Sequence, residues 1–349
     1  MKKRMILSWV LAFTMIVAAG CGGTKEASVP NGKTTPESPT ATDQAKKAEF
    51  VFKLGHLQGG EHPYQTGSVK FKELVEGKSD GRIQIDIFPS SQLGNQRDII
   101  EGLQMGTVQL HVGSVAPVAN FAPKLNVLSL PYLFRDKEHA FSVLDGEIGK
   151  ELAVDLEAKG IKNLAYWENG WRHLTNATKP IKSAADASGL KIRIQESPAY
   201  ISYIKALGST PTPIPFGELY TALEQKVVDG SEGPLAQLAT NKFHEVSKHL
   251  TLNAHTYDAA MFLVSIAAYD KLPADLQRVI TEAALEAGAY ERQLNEDLSD
   301  QFLSELRAGG MVVEENPDME SFRKAVEPVY QELQDSIGKD LIEKIRNVK

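Results

Sequence analysis

The 349-residue chain contains a single cysteine and eight histidines, and the histidines lie scattered along the sequence. One thiol cannot form an intramolecular disulfide, so Cys21 is not a structural staple. The histidines lack the close spacing of a metal site. The patterns Gly-x-Ser-x-Gly and His-Glu-x-x-His and a phosphate-binding loop are also missing. These absences predict a protein that is not an enzyme and has no cofactor.

An excess of basic residues is missing as well. The whole chain has a formal charge of -7, and without the three basic residues at positions 2–4 it has 35 basic and 45 acidic residues, or -10. A nucleic-acid partner requires a basic face, so this class of partner is not expected. An anionic ligand would have to be held by local arginines against the general field.

Residues 1–20 have the features of a secretory signal: basic residues at positions 2–4, an apolar run over 5–17 and small residues before a cysteine. The apolar run is shorter than the roughly 20 residues that a membrane span needs. The ending Ala-Ala-Gly-Cys resembles a bacterial lipobox, which implies that Cys21 is acylated and becomes the mature amino terminus.

The segment 21–48 is rich in Thr, Pro, Ser, Gly, Lys and Ala and has almost no large apolar residues. Such a composition cannot bury enough surface to order itself, so it predicts a flexible tether. No later stretch is apolar enough to span a bilayer. The predicted location is therefore extracytoplasmic, with a lipid anchor in the bacterial cell membrane, at the outer face of the cytoplasmic membrane or in the periplasm.

Alternating strand and helix patterns from about residue 49 onward predict an α/β fold with room for two domains. Strands are expected at 50–55, 83–87 and 108–112. A helix is expected from Gln96 to Met105, with Asn95 as a plausible N-cap.

Further strands are expected at 164–167, 250–253 and 261–266. The pattern from Pro273 to about Arg307 predicts one helix without an internal proline. At 1.5 Å per residue it would be about 50 Å long, which exceeds one small domain.

The chain is organised around the stretch from Gly189 to Leu235. Here apolar residues at 190, 192 and 194 alternate with Lys191, Arg193 and Gln195, which predicts a strand with one buried face. A helix from Pro198, a proline-rich loop and a second helix from about residue 217 follow. Ligands of α/β sheets bind outside the carboxyl ends of strands, where Arg193 is placed. The alternative is a solvated or salt-bridged arginine.

This stretch resembles the signature region of the DctP-type substrate-binding proteins of tripartite ATP-independent periplasmic (TRAP) transporters. The matching runs are Lys191-Ile192-Arg193, Ala206-Leu207-Gly208, Pro211-Thr212-Pro213, Phe216 to Leu223, Val228-Asp229-Gly230 and, outside this stretch, Pro89 to Gly94, Leu130 to Phe134 and Asn169 to Asn176. The resemblance covers essentially the whole body of the chain. It implies a two-lobed, periplasmic-binding-protein-like fold with a hinge, an interlobe ligand cleft and a long helix that spans both lobes.

The resemblance also implies how the lobes divide the chain and what they do. Lobe I would comprise residues 49–170 plus 259–298, and lobe II residues 171–258 plus 299–349. The protein would bind a small organic acid, such as a C4-dicarboxylate or a uronate, and deliver it to membrane permease subunits. One alternative is the solute-binding lipoprotein of an ATP-driven importer, which lacks this signature stretch. A surface adhesin or structural lipoprotein would have no buried arginine site.

The resemblance assigns roles to two arginines. Arg193 would bind the ligand's carboxylate through two parallel hydrogen bonds, which a lysine cannot copy. Arg172 would be the second guanidinium of the site, and Phe216 would pack against the carbon skeleton. His173 beside Arg172 is a candidate ligand or general base, although a structural donor is the commoner role of such a histidine.

Loops at Gln58, Asn95 and Ser114 would supply hydrogen bonds to the ligand, with ordinary turn or cap chemistry as the alternative for each. Gly233 marks a departure from the family pattern. The family commonly has Glu-Asn-Pro where this chain has Glu232-Gly233-Pro234, and that asparagine contacts the ligand. A water, another side chain or an extra ligand group must fill the space at Gly233.

Overall fold

One mixed sheet of nine strands runs through the computed structural model, which describes residues 47–349. The predicted signal segment, the predicted lipidation site Cys21 and nearly all of the predicted tether lie outside the described residues. The strands are β1 (Phe50–Gly55), β2 (Ile83–Phe88), β3 (Leu110–Ser114), β4 (Ile161–Asn176), β5 (Lys191–Ile194), β6 (Thr210–Pro213), β7 (Gly230–Pro234), β8 (His249–Ser265) and β9 (Val312–Glu314).

The helices cover the sheet and connect its strands. They are α1 (Pro63–Lys78), α2 (Gln96–Met105), α3 (Val115–Val118), α4 (Lys137–Leu144), α5 (Glu147–Glu157), α6 (Pro198–Ala206), α7 (Leu219–Glu224), α8 (Leu235–Thr240), α9 (Ile266–Tyr269), α10 (Ala274–Asp297), α11 (Ser299–Ala308), α12 (Met319–Ala325), α13 (Glu327–Ile337) and α14 (Lys339–Arg346). Short 3-10 segments occur at Pro123–Ser129, Ala184–Ala187, Phe216–Glu218 and Phe243–Glu245.

The strand order is β2-β1-β3-β8-β4-β7-β5-β6, and β9 pairs with β8. The carboxyl-terminal half of β8 pairs with β3, whereas its amino-terminal half pairs with β9. β4 pairs with β8 along most of its length and with β7 only from Arg172 onward. The two long strands therefore belong to both halves of the sheet, and the fold is two-lobed.

The sequence predicted the first half well. β1 spans the expected residues, and α2 begins where expected because Asn95 caps it. The Asn95 side chain accepts a hydrogen bond from the Asp98 backbone N–H, and the Asp98 carboxylate accepts one from the Asn95 N–H. This reciprocal pair is a capping box, which satisfies two backbone donors that the helix itself cannot satisfy.

The lengths of the two central strands were predicted wrongly. The separate strands expected at 250–253 and 261–266 are one strand, β8, and the strand expected at 164–167 extends to Asn176 as β4. Both strands are buried on both faces over much of their length, so apolar and polar residues do not alternate there. Bulges also interrupt their pairing, and Ala254 has φ 41°.

The single long helix predicted from Pro273 to Arg307 is two helices. α10 ends at Asp297 and α11 begins at Ser299, with a break at Leu298. α10 packs on α1 and β4, whereas α11 packs on α8, so the two segments follow different surfaces. The 24 residues of α10 correspond to about 36 Å.

Two short strands beside β5 were not predicted. β6, expected to be a proline-rich loop, lies at the edge of the sheet, where prolines are tolerated because one side needs no ladder donors. β7 follows Asp229 and lies between β4 and β5. Because β5 has neighbours on both edges and layers on both faces, Arg193 is buried, and the expectation of one polar face was wrong.

Candidate functional site

Arg193 lies in the last half of β5, where its backbone pairs with Thr212 of β6 and Ser231 of β7. Its exposed fraction is 1%. The Nε atom donates a hydrogen bond to the Ile214 carbonyl oxygen at 2.9 Å. The Nη1 atom is buried and has no hydrogen-bond partner within residues 47–349. The guanidinium is therefore bonded to the described residues at Nε but not at Nη1.

The charge of Arg193 is not neutralised by a direct partner. None of the carboxylates in the described part of the chain forms a salt bridge with it. Burial lowers the pKa of Arg193 to about 10; the charge of Glu232 opposes this effect and the charge of Arg172 adds to it. The guanidinium is therefore positive at neutral pH and has no carboxylate partner among the described residues.

Arg193 lines a cavity of about 90 Å³. A second cavity, of about 20 Å³, shares part of this lining, at Leu57, Gln96, Gln195 and Phe216. The remaining residues of the first cavity are Asn95, Arg97, Pro117, Glu196, Ile214 and Pro215, and those of the second are Gln58, Tyr64, Val112, Gly113, Ser114, Asn169 and Gln237. The two cavities form a cleft that is bordered mainly by amide and apolar side chains.

Arg172, on β4, is fully buried, and each of its three guanidinium nitrogens donates a hydrogen bond. Its Nη1 donates to Asp258 Oδ2 at 2.6 Å, and its Nη2 donates to Glu232 Oε1 at 2.8 Å. Its Nε also bonds to the Glu232 carboxylate. The guanidinium lies over the Tyr200 ring, 5.2 Å from its centroid. This arginine holds β4, β7 and β8 together through two carboxylates of the chain itself.

The ion pairs of Arg172 and burial together shift the pKa values of Glu232, Asp258 and Arg172. Burial alone would raise the pKa of Glu232, but the charge and hydrogen bonds of Arg172, together with the nearby His255, outweigh burial and lower this pKa to about 2. For Asp258, burial outweighs Arg172 and the pKa is raised. Burial opposes the charged form of Arg172, yet the neighbouring carboxylates raise its pKa well above the usual value.

Two histidines complete the neighbourhood of Arg172. His255 Nε2 lies 3.4 Å from Glu232 Oε2, and burial lowers the pKa of His255. Burial also lowers the pKa of His173 to about 3, and its Nδ1 accepts a hydrogen bond from the Ala254 N–H at 3.1 Å. His173 is thus a neutral structural acceptor, where the sequence favoured a structural donor.

Gln58, Asn95, Ser114 and Phe216, for which ligand contacts are predicted, all line the cleft. Asn95 also caps α2, so its position is compatible with both a ligand contact and ordinary cap chemistry. Ser114 Oγ lies 2.9 Å from Gln195 Oε1 and 2.7 Å from Asp258 Oδ1. Their contact with a ligand stays a prediction.

Arg172 and Gly233 do not border the cleft as it is outlined by the described residues. Arg172 faces Glu232 and Asp258, so a direct bond from Arg172 to a ligand stays a prediction. A Cβ atom placed on Gly233 would lie 3.2 Å from Gln237 Nε2, so the space beside Gly233 is filled by another side chain.

Sequence reasoning missed Gln195, Gln237 and Asp258. Gln195 follows Arg193 by two residues, and the alternation of the strand could have placed it beside the arginine. Gln237 lies in the first turn of α8, four residues after Gly233. Asp258 is an acidic residue within an otherwise apolar run, which is a signal of a buried, paired charge.

The described residues contain no group of three or more His, Cys, Asp or Glu side chains placed to hold a metal ion. None of the helices in residues 47–349 is both long and apolar enough to cross a membrane.

Comparison with known proteins identifies the family. The model of the DctP family, described as "Bacterial extracellular solute-binding protein, family 7", matches residues 54–336. The chain belongs to this family. It is a DctP-type substrate-binding protein of the kind that serves TRAP transporters, a solute receptor and not an enzyme.

Individual relatives agree with this assignment. A "Solute-binding protein" of Verminephrobacter eiseniae is 40% identical over 279 residues, 80% of this chain and 83% of the relative. The "2,3-diketo-L-gulonate-binding periplasmic protein YiaO" of Escherichia coli is 38% identical over 257 residues, 74% of this chain and 78% of YiaO.

A solved structure is also similar. The crystal structure of a TRAP periplasmic solute-binding protein from Polaromonas sp. JS666 bound to D-erythronate has a TM-score of 0.84 and 40% sequence identity. The match covers 86% of this chain and 99% of that structure. The two-lobed fold predicted from the sequence is thereby confirmed.

Proposed function

We propose that this chain is the extracytoplasmic receptor for a small hydroxylated acid, such as an aldonate or a uronate. The observation that carries the proposal is Arg193, a buried cation whose Nη1 has no partner within the described chain and which lines the cleft. A ligand carboxylate would accept two parallel hydrogen bonds from a guanidinium, which fixes its orientation as well as its charge.

The rest of the cleft favours hydroxyl groups over a second carboxylate. Apart from Arg193, the charged residues of the described lining are Arg97 and Glu196, both about half exposed and 3.3 Å apart. The other polar side chains are mostly neutral amides, which donate and accept hydrogen bonds as hydroxyls do. A C4-dicarboxylate would need a second cation at its far end. Sugar acids in the names of YiaO and of the Polaromonas structure support the same choice for this chain.

Closure of the two lobes would hold the ligand. The proposed boundary is lobe I, residues 49–170 plus 259–298, against lobe II, residues 171–258 plus 299–349. It is supported by the pairing of β4 with β7 from Arg172 onward and by the helix break at Leu298. Ser114 to Gln195 and Asn241 to Gln58 are contacts across this boundary. A ligand that bridges both lobes favours the closed state by its higher affinity for it.

The receptor would be held at the membrane by a lipid on Cys21 and the segment that follows it. The closed form would then dock on the permease subunits of the transporter. Metabolic labelling with a radioactive fatty acid, with Cys21→Ser as the matched variant, tests the anchor. Label that persists in the variant would contradict lipidation at this residue.

A thermal-shift screen tests the ligand class. The chain from residue 21 onward is unfolded and refolded to strip bound ligand, then screened against aldonates, uronates, C4-dicarboxylates, neutral sugars and amino acids. A ligand at a hundredfold excess over its Kd stabilises the protein by about 2.7 kcal/mol. We expect a shift with a hydroxylated acid and none in Arg193→Met, while Arg278→Met, at a side chain that is 72% exposed, behaves as the parent. A shift with neutral sugars or amino acids only would contradict the proposal.

A further inference from the structure

Gln237 occupies the space that Gly233 leaves open. β7 ends at Pro234 and α8 begins at Leu235, so Gln237 stands in the first turn of α8, four residues after the glycine. A Cβ atom on Gly233 would lie 3.2 Å from Gln237 Nε2, which is closer than ordinary van der Waals contact, and 3.5 Å from its Cδ, which is an ordinary contact. The absent side chain is therefore what lets the carboxamide of Gln237 lie where it does.

The carboxamide of Gln237 lacks partners of its own. The side chain is 1% exposed, and neither Nε2 nor Oε1 has a hydrogen-bond partner within the described chain. Buried amide groups in native proteins are nearly always hydrogen-bonded, so an unbonded one indicates a group that can bind a ligand or a water. The backbone carbonyl of Gln237, by contrast, accepts a hydrogen bond from Asn241 Nδ2 at 2.9 Å.

Gln237 also borders the cleft that contains Arg193. It lines the smaller cavity together with Gln58, Ser114 and Asn169, and this cavity shares Gln195 and Phe216 with the one that contains Arg193. All residues that border this smaller cavity in the described structure are uncharged. A ligand anchored at Arg193 would extend its far end past Phe216 toward Gln237.

The chemistry of the carboxamide selects the group that it can bind. An amide offers both donors and an acceptor, a hydroxyl likewise donates and accepts, and a carboxylate only accepts. We propose that Gln237 binds a hydroxyl group on the ligand's carbon chain, at a distance from the anchored carboxylate, and so makes this receptor prefer hydroxylated acids over unsubstituted acids of the same length. The inference rests on the proposed function and adds to it the residue that determines specificity.

Calorimetric titration of Gln237→Met tests this role, because methionine keeps the length of the side chain and removes the amide. The probes are D-erythronate and galactonate, with butanoate and hexanoate as the unsubstituted acids of equal chain length. The parent should bind at least one hydroxy acid more tightly than its unsubstituted counterpart. The variant should lose about 10- to 100-fold for the hydroxy acid and less than threefold for the unsubstituted one, since one buried hydrogen bond is lost. Gln301→Met, at an exposed position of α11, is the matched control.

Equal losses for both kinds of acid would overturn the inference, because a merely structural role would weaken all ligands alike. Unchanged affinity in Gln237→Met would also overturn it. If the parent binds butanoate or hexanoate as tightly as the hydroxy acids, the inference fails while the acid receptor stands. If Arg193→Lys leaves binding of every acid unchanged or the parent binds none of them, the proposed function fails, and the inference fails with it.

A second pair of variants tests the geometry independently of the methionine. Gly233→Ala pushes against the carboxamide, so it should weaken hydroxy-acid binding about tenfold in the parent. In Gln237→Ala, where the clash is absent, the same change should alter binding less than threefold. The two sites are then coupled. Additive effects of the two substitutions would contradict the proposed placement of Gln237.

Discussion

Arg172 and Arg193 lie on strands that are separated only by β7, and both are inaccessible to solvent, yet their surroundings differ. Arg172 bonds to the carboxylates of Glu232 and Asp258. Arg193 bonds to one carbonyl oxygen and has no salt-bridge partner within the described residues. The same side chain thus occurs once with its counter-charges supplied and once without them.

The two arginines differ in how the free-energy cost of burying their charge is offset. Taking a guanidinium out of water carries a penalty of several kcal/mol, which an ion pair with good geometry can offset. For Arg172 the offset comes from the chain itself, which fixes the crossing of β4, β7 and β8. For Arg193 the described residues supply no such carboxylate, and this observation underlies the proposed role of Arg193 as the ligand's anchor.

Arg172→Met should have the largest effect, because it leaves the Glu232 and Asp258 carboxylates buried without their shared cation. Breaking a buried ion pair in this way costs about 3–5 kcal/mol of unfolding free energy. Arg193→Met removes a buried charge that lacks a carboxylate, so its loss should be below about 1 kcal/mol, or even a gain. Urea unfolding of both ligand-free variants measures the difference. Equal losses of unfolding free energy in the two variants would contradict the contrast between a paired and an unpaired buried arginine.

Arg193→Lys should weaken binding of the acid about 30- to 150-fold, which corresponds to about 2–3 kcal/mol. The ammonium group keeps the charge but offers no planar pair of donors to the carboxylate. Calorimetric titration with the acid that gives the largest thermal shift measures this loss. Arg278→Lys, at an exposed arginine of α10, is the matched control. Unchanged affinity would remove Arg193 as the anchor.

Glu232→Gln tests the ion pair of Arg172 through the pH dependence of the unfolding free energy. The native pKa of Glu232, about 2, lies below its ordinary value of 4.5, so its contribution to stability is present above pH 4.5 and is lost as the pH falls toward 2. Glutamine does not titrate. The parent should therefore be more stable than the variant by about 2 kcal/mol at pH 7, and this difference should shrink below pH 4.5. Urea unfolding at pH 7, 4 and 3 measures it; a constant difference would contradict an ionised Glu232.

Ser114→Ala should have the smallest effect, a loss of about 1 kcal/mol in unfolding free energy. Its hydroxyl lies between Asp258, which belongs to the Arg172 cluster, and Gln195, which lines the cleft beside Arg193. Differential scanning calorimetry of the ligand-free protein measures the loss. A loss of several kcal/mol would show that the two arginine environments are one energetic unit.

The local parts of the fold could be predicted from the sequence. Alternation found β1 and β2, and the cap at Asn95 located α2, because these signals lie within a few residues of one another. The long strands and the edge strand β6 could not be predicted in this way. Their existence depends on burial between layers and on position in the sheet, which a local pattern does not contain.

The same limit applies to the site. A motif resemblance pointed to both arginines and gave them different ligand roles, but it did not indicate the carboxylates that surround Arg172. Glu232 and Asp258 are distant from Arg172 along the chain, and no spacing rule connects them. Gln237 was overlooked because its role depends on an absence at Gly233, and a missing side chain has meaning only when the neighbour that fills its place is known.

The shared strands β4 and β8 have a consequence for how the chain acquires its structure. β3, at residues 110–114, pairs with residues 260–264 of β8, and β4 pairs with β8 along most of its length. Neither half of the sheet can be completed before residue 265 has emerged from the ribosome or the export channel. Such distant pairings form slowly, so we expect the pairing of β8 with β3 and β4 to be a late step of folding.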